Sequence, residues 1–347
     1  MRNILKLYKD TRYFYRESSD NKSIFRIIFE LIFWIWLNNR VIIEYFFIGL
    51  HQKGNRLQDF IARKEFNRIH NKLNPIYYRA VLEDKFVFDK YMEGSGSPVI
   101  PLLGRIENER IYFKNNLSGI KLDDIVNLTL HCFCKLNTGY GGLNVFKLDV
   151  EDKKIKINNK ASTLADLKKI VSKGVYVVQN TIIQHPEMNK LNDKCVNTLR
   201  ILTISDGETF IYLGGFLRIG IGDSVADNTT KGNLTCGWNE SGKLSEKAFE
   251  FIPKRKFHTH HPNSKAVFKD FQIPFFKDAI NLVEETHKQL PFFFIIAWDV
   301  AISDKGLAII EANPVPDISF IQSYYGGLRQ RIRGCAYSFA AIKHINL

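Results

Sequence analysis

The sequence 294-FIIAWDVAISDKGLAIIEANPVPD-317 contains two strand-like apolar runs around a polar turn, and each run carries one acidic residue. Apolar strands usually exclude carboxylates, because burying an unpaired charge is costly. The Ser-Asp-Lys-Gly segment between the runs is typical of a turn and predicts a hairpin. If residues 304–306 form its loop, Asp299 lies directly opposite Glu311, and Asn313 projects from the same sheet face.

This register predicts a metal site. Two like charges directly opposite each other destabilise a strand pair, and a hard divalent cation removes the conflict. Mg²⁺ prefers oxygen ligands and shares its coordination shell with substrate phosphates, so we expect Asp299, Glu311 and Asn313 to bind Mg²⁺. A register slip of one residue would send Glu311 and Asn313 to the other face. The alternative is two solvated carboxylates on an exposed hairpin.

Composition limits the classes of protein. With 347 residues, of which 45% are hydrophobic, the chain is globular and long enough for two domains. Five scattered cysteines and the lack of a signal-peptide pattern predict a reducing, cytoplasmic location, with Cys132 and Cys134 as core residues. The net charge of +13 favours anionic partners, such as nucleotides, acidic glycans or anionic lipids. No zinc-finger or aromatic RNA-binding pattern accompanies that charge, so we expect no nucleic-acid partner.

The N-terminal region predicts helices. Residues 24–50 are dense in large apolar side chains, but Arg26, Glu30, Arg40 and Glu44 interrupt them, so a membrane span is not expected. Two alternatives are a helix buried against the main body, or a helix that lies on a membrane or a membrane-bound partner.

Near residue 80 the sequence changes from helix-like to strand-like patterns. We therefore expect residues 1–80 to be a helical extension and residues 81–347 to be the catalytic domain. Within that domain, residues 81–180 would form a first lobe and residues 181–347 a second lobe.

A glycine-rich loop separates two strands in the first lobe. The run 128-LTLHCFCKL-136 alternates like a strand, 137-NTGYGGLN-144 interrupts it, and 145-VFKLDV-150 is a second strand. Glycines let backbone N–H groups close around phosphate oxygens, and Lys135 adds a positive charge beside them. An ordinary hairpin turn is the alternative. The glycines concerned are Gly139, Gly141 and Gly142.

Polar residues at two other places in strands are further candidates. The strand 175–183 runs into Gln179 and Asn180, where backbone groups could hydrogen-bond an adenine edge; a plain strand end is the alternative. Arg200 and Arg218 lie among apolar residues of consecutive strands. Together they could bind a phosphoryl group, whereas singly each could equally form a structural ion pair.

Taken in order, these features resemble the ATP-grasp superfamily. More closely, 183-IQHPEMNKLNDKCVNTLRILTI-204 and 297-AWDVAISDKGLAIIEANPVPDISFIQ-322 look like the sugar-transfer-associated ATP-grasp family, which is linked with bacterial surface-polysaccharide biosynthesis. The resemblance covers roughly residues 80 to 330. It implies an α+β fold in which two lobes with antiparallel sheets clasp ATP, preceded here by the helical extension.

The resemblance also implies site residues. Lys135 and a second lysine, either Lys85 or its rival Lys90, would contact the phosphates, and Glu187 would reach the ribose. The other implied ATP ligands are the glycine loop and the hinge residues Gln179 and Asn180. Substrate would meet Asn197, Asp317 and Gln322. The chain departs from many ATP-grasp ligases at Ala297, where they have an arginine, so Arg200 and Arg218 become the catalytic candidates.

The implied activity is that of a ligase. Family members activate a carboxylate as an acyl phosphate, which an amine attacks to give an amide and ADP. For this chain we expect attachment of an amino acid, or a similar group, to a sugar during surface-glycan assembly. A glycan kinase, a non-catalytic adaptor of a glycan-assembly complex and a peptide or protein ligase are the alternatives.

Overall fold

The computed structural model describes residues 11–37, 42–114, 118–138, 144–222, 232–251 and 256–347. The glycines at 139, 141 and 142 lie outside the described residues. In the described part of the chain, no helix combines the length and the apolar character needed to cross a membrane.

The described N-terminal part is helical, as the apolar periodicity predicts. Residues 11–17 form a helix. The helices that follow are α1 (Ile24–Leu37), α2 (Ile42–Phe47), α3 (Arg63–Leu73), α4 (Ile76–Glu83) and α5 (Lys85–Gly94). The boundary proposed at residue 80 therefore falls inside α4.

An eight-stranded antiparallel sheet follows the helices. Its strands are β1 (Leu102–Glu107), β2 (Arg110–Phe113), β3 (Ile120–Lys121), β4 (Leu130–Leu136), β5 (Val145–Glu151), β6 (Lys154–Ile157), β7 (Lys160–Ser162) and β8 (Tyr176–Asn180), in the order β3-β2-β1-β8-β4-β5-β6-β7. Helix α6 (Leu164–Val171) begins with a capping box between Thr163 and Asp166. Its Leu167 packs in one cluster with Cys132 and Cys134, both fully buried free thiols, which confirms their prediction as core residues.

A second, seven-stranded antiparallel sheet forms the other half. Its strands are β9 (Thr198–Ser205), β10 (Phe210–Ile219), β11 (Leu234–Gly237), β12 (Ala248–Glu250), β13 (Lys256–His258), β14 (Ile295–Ser303) and β15 (Gly306–Asn313), in the order β13-β12-β11-β10-β9-β14-β15. Its helices are α7 (Pro186–Asn189), α8 (Phe276–Lys288), α9 (Ser319–Tyr325) and α10 (Arg329–Ile342).

Helices cover both faces of this second sheet. Val283 of α8 packs in one cluster with Ile201 and Trp298, whereas Ile332 of α10 packs in another with Leu202 and Ile295. Successive residues of a strand face opposite sides, so the two clusters sandwich the sheet.

The turn of the β14–β15 hairpin differs from the prediction. Ser303 pairs with Gly306, so the loop is two residues long and the expected loop 304–306 is wrong. A register shift then leaves Ile310 as the extra residue of a bulge, because Val300 pairs with Ile309 but Asp299 pairs with Glu311. The predicted pairing of the two acids is confirmed, although the bulge produces it and not the loop.

Helix α1 does not bury most of its apolar side chains. Only Ile27, Glu30 and Trp34 are buried. The expectation that this helix is buried against the main body is therefore wrong for its outer half, which carries the exposed residues Ile24, Phe25, Ile28, Phe29, Ile32, Phe33 and Trp36.

Candidate active site

Charged side chains form a transverse row on one face of the second sheet. Asp299 on β14 pairs with Arg200 on one side and with Glu311 on the other. Arg200 in turn pairs with Phe216 on β10. Arg218 lies two residues beyond Phe216 and therefore projects from the same face. Four neighbouring strands thus bring both predicted arginines and both predicted carboxylates together.

Two guanidinium groups hold the Asp299 carboxylate. Arg200 Nε lies 2.5 Å from Asp299 Oδ1, and Arg200 Nη2 donates to Oδ2 at 2.9 Å. Arg218 Nη1 donates to the same Oδ2 at 3.0 Å. The Asp299 side chain is 3% exposed, so these donors offset the cost of its burial. The arginines are ion-paired, and both pair with the predicted metal ligand.

Glu311 is a second carboxylate at the same place. The Asn313 amide donates to Glu311 Oε1 at 3.3 Å. Burial alone would raise the pKa of Glu311, but the positive charges of Lys85, Arg218 and Lys135 help to lower it below its usual value. Glu311 therefore lies directly opposite a second carboxylate in a positively charged environment.

Lys135 brings positive charge from the first sheet. It lies on β4, where it pairs with Val177 of the central strand β8. Burial lowers its pKa, and attraction to Glu311 and then to Asp89 opposes that shift. The charges of Lys135 and Glu311 attract each other across the two sheets, so the predicted phosphate lysine lies near the predicted metal ligands.

Lys85 belongs to the same cluster, and Lys90 does not. Lys85, the first residue of α5, is half-buried and is the strongest charged influence that lowers the pKa of Glu311. Lys90 is exposed, lies 3.7 Å from Glu93 and stacks over the ring of Phe86. Of the two rival lysines, Lys85 is therefore the one whose charge acts on the predicted metal ligand Glu311.

The start of α5 is fixed to the end of β4. Asn137 Nδ2 donates to Asp84 Oδ2 at 2.6 Å, and the backbone N–H of Phe86 donates to Asn137 Oδ1 at 2.9 Å. Asp84 also caps α5 by accepting from the N–H of Val87 at 2.9 Å. Since Asn137 lies two residues beyond Lys135, this clamp sets the position of Lys85 relative to Lys135.

The predicted hinge contacts Asp89 of α5, a residue that the sequence patterns missed. Gln179 is buried, and its amide donates to Asp89 Oδ2 at 2.6 Å. The N–H of Asn180 donates a hydrogen bond to the carbonyl of Pro101 at 3.1 Å. Burial raises the pKa of Asp89 to about 6, while attraction to Lys135 and the bond from Gln179 oppose that shift. Asp89 follows Lys85 by four residues on one helix, and that spacing could have revealed it.

Two connecting segments hold the β14–β15 hairpin between the sheets. Before β1, the carbonyl of Pro98 accepts from the N–H of Ile309 at 2.8 Å. After β8, His185 N–H donates to the carbonyl of Ile302 at 3.0 Å, and Asp304 N–H donates to Ile183 at 3.0 Å. The hairpin that carries the acids is thus attached both to the segment that enters the first sheet and to the segment that connects the first sheet to the second.

The structure gives two of the predicted substrate residues positioning roles. Asn197 is fully buried, donates to the carbonyls of Met188 and Asn192, and accepts from the N–H of Gly220. It fixes the segment around α7 to the sheet, so its predicted contact with substrate needs correction.

The Gln322 side chain also bonds within the fold. It is buried, accepts from the N–H of Ile61 at 2.9 Å and donates to its carbonyl at 3.1 Å. This residue therefore attaches the N-terminal region to helix α9 of the second half.

The remaining two predicted contacts are at the surface. Asp317 is exposed, accepts from the N–H of Ser319 and lies 3.4 Å from Arg63. Glu187 is exposed on α7 and forms an ion pair with Lys190 at 2.7 Å. Both side chains are accessible to a ligand.

The donor set fits a hard divalent cation. Within the described ranges, no group of three or more His, Cys, Asp or Glu side chains is arranged to bind a metal ion. The candidate therefore consists of two carboxylates and one amide: Asp299 and Glu311 within mutual hydrogen-bonding reach, with Asn313 on Glu311. All three supply oxygen, which suits Mg²⁺ and leaves coordination positions for phosphate oxygens.

Comparison with known proteins places the chain in a family. A family model described as sugar-transfer associated ATP-grasp matches residues 64–335. That range contains every described strand of both sheets. No curated protein matches the sequence.

Solved structures with a similar fold have low sequence identity. N5-carboxyaminoimidazole ribonucleotide synthetase from Thermotoga maritima is 12% identical, with a TM-score of 0.41, covering 83% of this chain and 57% of that chain. D-Alanine-D-alanine ligase from Helicobacter pylori is 12% identical, with a TM-score of 0.42, covering 74% and 61% respectively. The biotin carboxylase domain of Hydrogenobacter thermophilus 2-oxoglutarate carboxylase, a complex with MgADP, ADP and bicarbonate, is 12% identical, with a TM-score of 0.42, covering 77% and 46%. The chain thus spans less than two thirds of each of these proteins.

Proposed function

Because this chain belongs to the sugar-transfer associated ATP-grasp family, we propose that it is an ATP- and Mg²⁺-dependent carboxylate–amine ligase. Its two α+β halves with antiparallel sheets have the ATP-grasp fold. The finer proposal is that it joins an amino acid, or a similar group, to a sugar or glycan during surface-polysaccharide biosynthesis. The family description motivates the sugar, and the net charge of +13 suits an acidic glycan or nucleotide sugar.

The observation that carries this proposal is the row of charges that Arg218, Arg200, Asp299 and Glu311 form across four strands of the second sheet, with two lysines near enough to act on it. Lys135 from the first sheet and Lys85 from α5 both act on Glu311 of the second sheet. Cations beside a pair of carboxylates can bind a triphosphate and its metal ion together. Neither an exposed hairpin nor a simple structural ion pair requires charges from both halves of the fold.

The proposed reaction has two steps. A carboxylate oxygen of the first substrate attacks the γ-phosphorus of ATP, the bond to the bridging oxygen breaks, and ADP leaves. An amine nitrogen of the second substrate then attacks the acyl carbon, phosphate leaves, and the nitrogen loses a proton. Phosphoryl transfer needs positioning and charge neutralisation more than a protein nucleophile.

The chain's own residues supply that positioning. We assign the phosphates to Lys85 and Lys135, whose relative position the Asp84–Asn137 clamp fixes. Arg200 and Arg218 hold Asp299 in place and provide positive charge where negative charge develops. The resemblance assigns the glycine loop to the phosphates as well.

The remaining ligand assignments follow the family pattern. We assign the adenine hinge to Gln179 and Asn180, and the ribose to Glu187. Of the substrate candidates, Asp317 keeps this assignment because its side chain is exposed. Asp299, Glu311 and Asn313 would hold Mg²⁺, which would neutralise negative charge on the phosphates.

Incubation with Mg-ATP tests the activity. Purified protein is mixed with a panel of amino acids and uronic-acid or amino-sugar glycans, and ADP and coupled products are followed by mass spectrometry. We expect ADP together with an amide product. A phosphorylated glycan would indicate a kinase, and a protein that fails to bind ATP would indicate an adaptor; either result would overturn the ligase assignment.

A matched pair of variants tests the site. Glu311→Gln removes one charge from the row, whereas Glu285→Gln removes one from an exposed position on α8. We expect Glu311→Gln to lower turnover by at least about 100-fold, on the scale of lost phosphoryl-transfer charge stabilisation, and Glu285→Gln to leave it unchanged. Equal turnover in the two variants would refute the assignment of Glu311.

Two organisational proposals accompany this function. We propose a cytoplasmic location at the inner membrane face, and a division into an N-terminal helical region, 1–80, and a catalytic domain, 81–347. Within that domain the lobes would be 81–180 and 181–347. The last residue of β8, Asn180, coincides with the division between the lobes.

A further inference from the structure

Helix α1 has an exposed face made only of large apolar side chains. At 100° per residue, Ile24, Ile28, Ile32, Phe25, Trp36, Phe29 and Phe33 occupy one continuous half of the helix. Phe25 is 87% exposed and Trp36 is 71% exposed. The helix has 14 residues, so the face is about 21 Å long. Monomeric proteins rarely leave such a surface in water, and it marks a binding surface. We call it the α1 face.

A buried acid fixes the direction of the α1 face. Glu30, on the opposite side of the helix, accepts from Lys22 at 2.6 Å, from Tyr45 at 2.7 Å and from Arg26 at 3.0 Å. Burial alone would raise the pKa of Glu30, but these three hydrogen bonds lower it. Arg26 belongs to the same helix, but Lys22 and Tyr45 lie outside it. Rotating the helix to bury the apolar half would break the bonds from these two residues, so the fold holds the apolar half outward.

Positive charge borders the α1 face. Beneath the helix lies a cleft of about 600 Å³, with Phe29 and Trp34 on its apolar wall and Arg26, Arg56 and Arg329 around it. At the other end of the helix, Lys64 Nζ lies 5.3 Å from the ring centroid of Trp36. The buried pair Lys22–Glu30 leaves five cations at the edge of the helix and cleft against two carboxylates: Arg26, Arg56, Lys64, Arg329 and Arg333, against Asp59 and Glu65.

We propose that the α1 face binds the surface of a bilayer that contains anionic phospholipid, with the helix axis parallel to the membrane. Apolar side chains would enter the acyl boundary, and the bordering cations would meet lipid phosphates. A tryptophan beside a lysine is typical of the membrane interface, where the ring is half in contact with water.

Charge argues against a second copy of the chain as the occupant. Two copies packed through the α1 face would bring the same bordering cations together, in a protein of net charge +13. An anionic bilayer supplies the opposite charge instead. Docking on lipid is a property separate from ATP chemistry, so its test does not depend on the ligase assignment.

Vesicle co-sedimentation of the full chain tests the proposal. The probes are vesicles of pure phosphatidylcholine and vesicles with about 30% phosphatidylglycerol. We expect binding to the anionic vesicles that weakens several-fold between about 0.1 and 0.5 M salt, on the scale of screened surface charges, and weak binding to the neutral ones. Equal binding to both lipids, or none to either, would overturn the proposal.

A matched pair of double variants locates the surface. Phe25→Gln/Ile32→Gln changes two exposed residues of the α1 face, and Val267→Gln/Tyr337→Gln changes two exposed apolar residues elsewhere. Glutamine keeps helix propensity, so α1 should persist, which circular dichroism checks. The first variant should bind anionic vesicles about 100-fold more weakly, from the loss of two buried apolar side chains.

The control and the oligomeric state complete the test. The Val267→Gln/Tyr337→Gln variant should bind like the unchanged protein; an equal loss in both variants would refute the location. Light scattering without vesicles should give a monomer. A dimer that Phe25→Gln/Ile32→Gln dissociates would show that a second copy covers the α1 face, and would overturn the proposal.

Discussion

Replacing Asp89 with asparagine should stabilise the protein at neutral pH and have no effect at acid pH. Asp89 is 3% exposed, and burial raises its pKa from 3.8 to about 6 despite the nearby lysines. The unfolded chain ionises this carboxyl near pH ~4. Between these two pKa values the folded protein keeps a proton that the unfolded chain loses, so stability falls as pH rises. At about 1.4 kcal/mol for each pKa unit, the free energy of unfolding falls by about 3 kcal/mol in total.

The substitution Asp89→Asn keeps an acceptor for the Gln179 amide and removes the charge, so it isolates the ionisation. We expect urea unfolding at about pH 8 to show the variant about 2–3 kcal/mol more stable than the unchanged protein, with the difference vanishing near pH ~4. Asp166→Asn is a control in which the expected change in stability has the opposite sign, because hydrogen bonds from Thr163 lower the pKa of Asp166. It should destabilise at neutral pH. An Asp89→Asn variant that is less stable than the unchanged protein in mildly alkaline buffer would refute the reasoning.

Three further predictions concern the nucleotide site and the attachment of the N-terminal region. Lys85→Met should raise the Kd for ATP by about 10- to 100-fold, which is the effect of losing one charge-assisted contact. The Kd of the control variant Lys90→Met should stay within about twofold of that of the unchanged protein. Calorimetry measures both values, and equal Kd values in the two variants would contradict the assignment of Lys85. Gln322→Leu should lower the free energy of unfolding by about 2 kcal/mol, since the buried N–H of Ile61 loses its acceptor. Turnover of the folded variant, followed as ADP and coupled product, should be unchanged; a loss of turnover would restore the predicted contact with substrate. Asn74→Ala should lower the free energy of unfolding, measured with urea, by about 3–5 kcal/mol, because the fully buried Asn74 amide joins α3 to β14. A decrease of less than about 1 kcal/mol would contradict this role.

The hairpin shows how far sequence alone leads. Alternation and turn chemistry predicted the two strands and the pairing of Asp299 with Glu311, because period-2 patterning is local. The bulge at Ile310 could not be predicted, since it depends on contacts from distant segments. The N–H of Ile309 beside it donates to Pro98, which lies far earlier in the chain, before the first sheet begins. The loop is one residue shorter than predicted, and the bulge adds one residue that was not predicted. The two differences cancel, so Asp299 still pairs with Glu311.

Side chains that bond within the fold were the main source of error. Asn197 and Gln322 look like polar residues available to a ligand, and nothing in their neighbours indicates that backbone groups far along the chain use them. Gln322 bonds to Ile61, 261 residues away. Conversely, the four-residue spacing places Asp89 on the same helix face as Lys85, but that spacing alone does not show that the acid is buried. The outward direction of α1 was unpredictable for the same reason, since Glu30 is fixed partly by Tyr45 beyond the helix.

The absence of an arginine at position 297 has a physical explanation in the packing. Ala297 projects from the same face as Asp299 but is 2% exposed, in the cluster that contains Leu202 of β9 and Ile332 of α10. An arginine there would place a charge in an apolar core, at a cost of several kcal/mol. Positive charge must therefore reach Asp299 from beyond that core.

Arg200 and Arg218 supply it from neighbouring strands. Arg200 is the direct cross-strand partner of Asp299, and Arg218 reaches the same oxygen from one strand further. Moving the arginine from position 200 to position 297 tests this arrangement. Ala297→Arg combined with Arg200→Ala keeps the net charge but should lower both the free energy of unfolding and turnover, because the new guanidinium enters the core. A stable, active double variant, measured by urea unfolding and ADP release, would show that position 297 can still carry the charge.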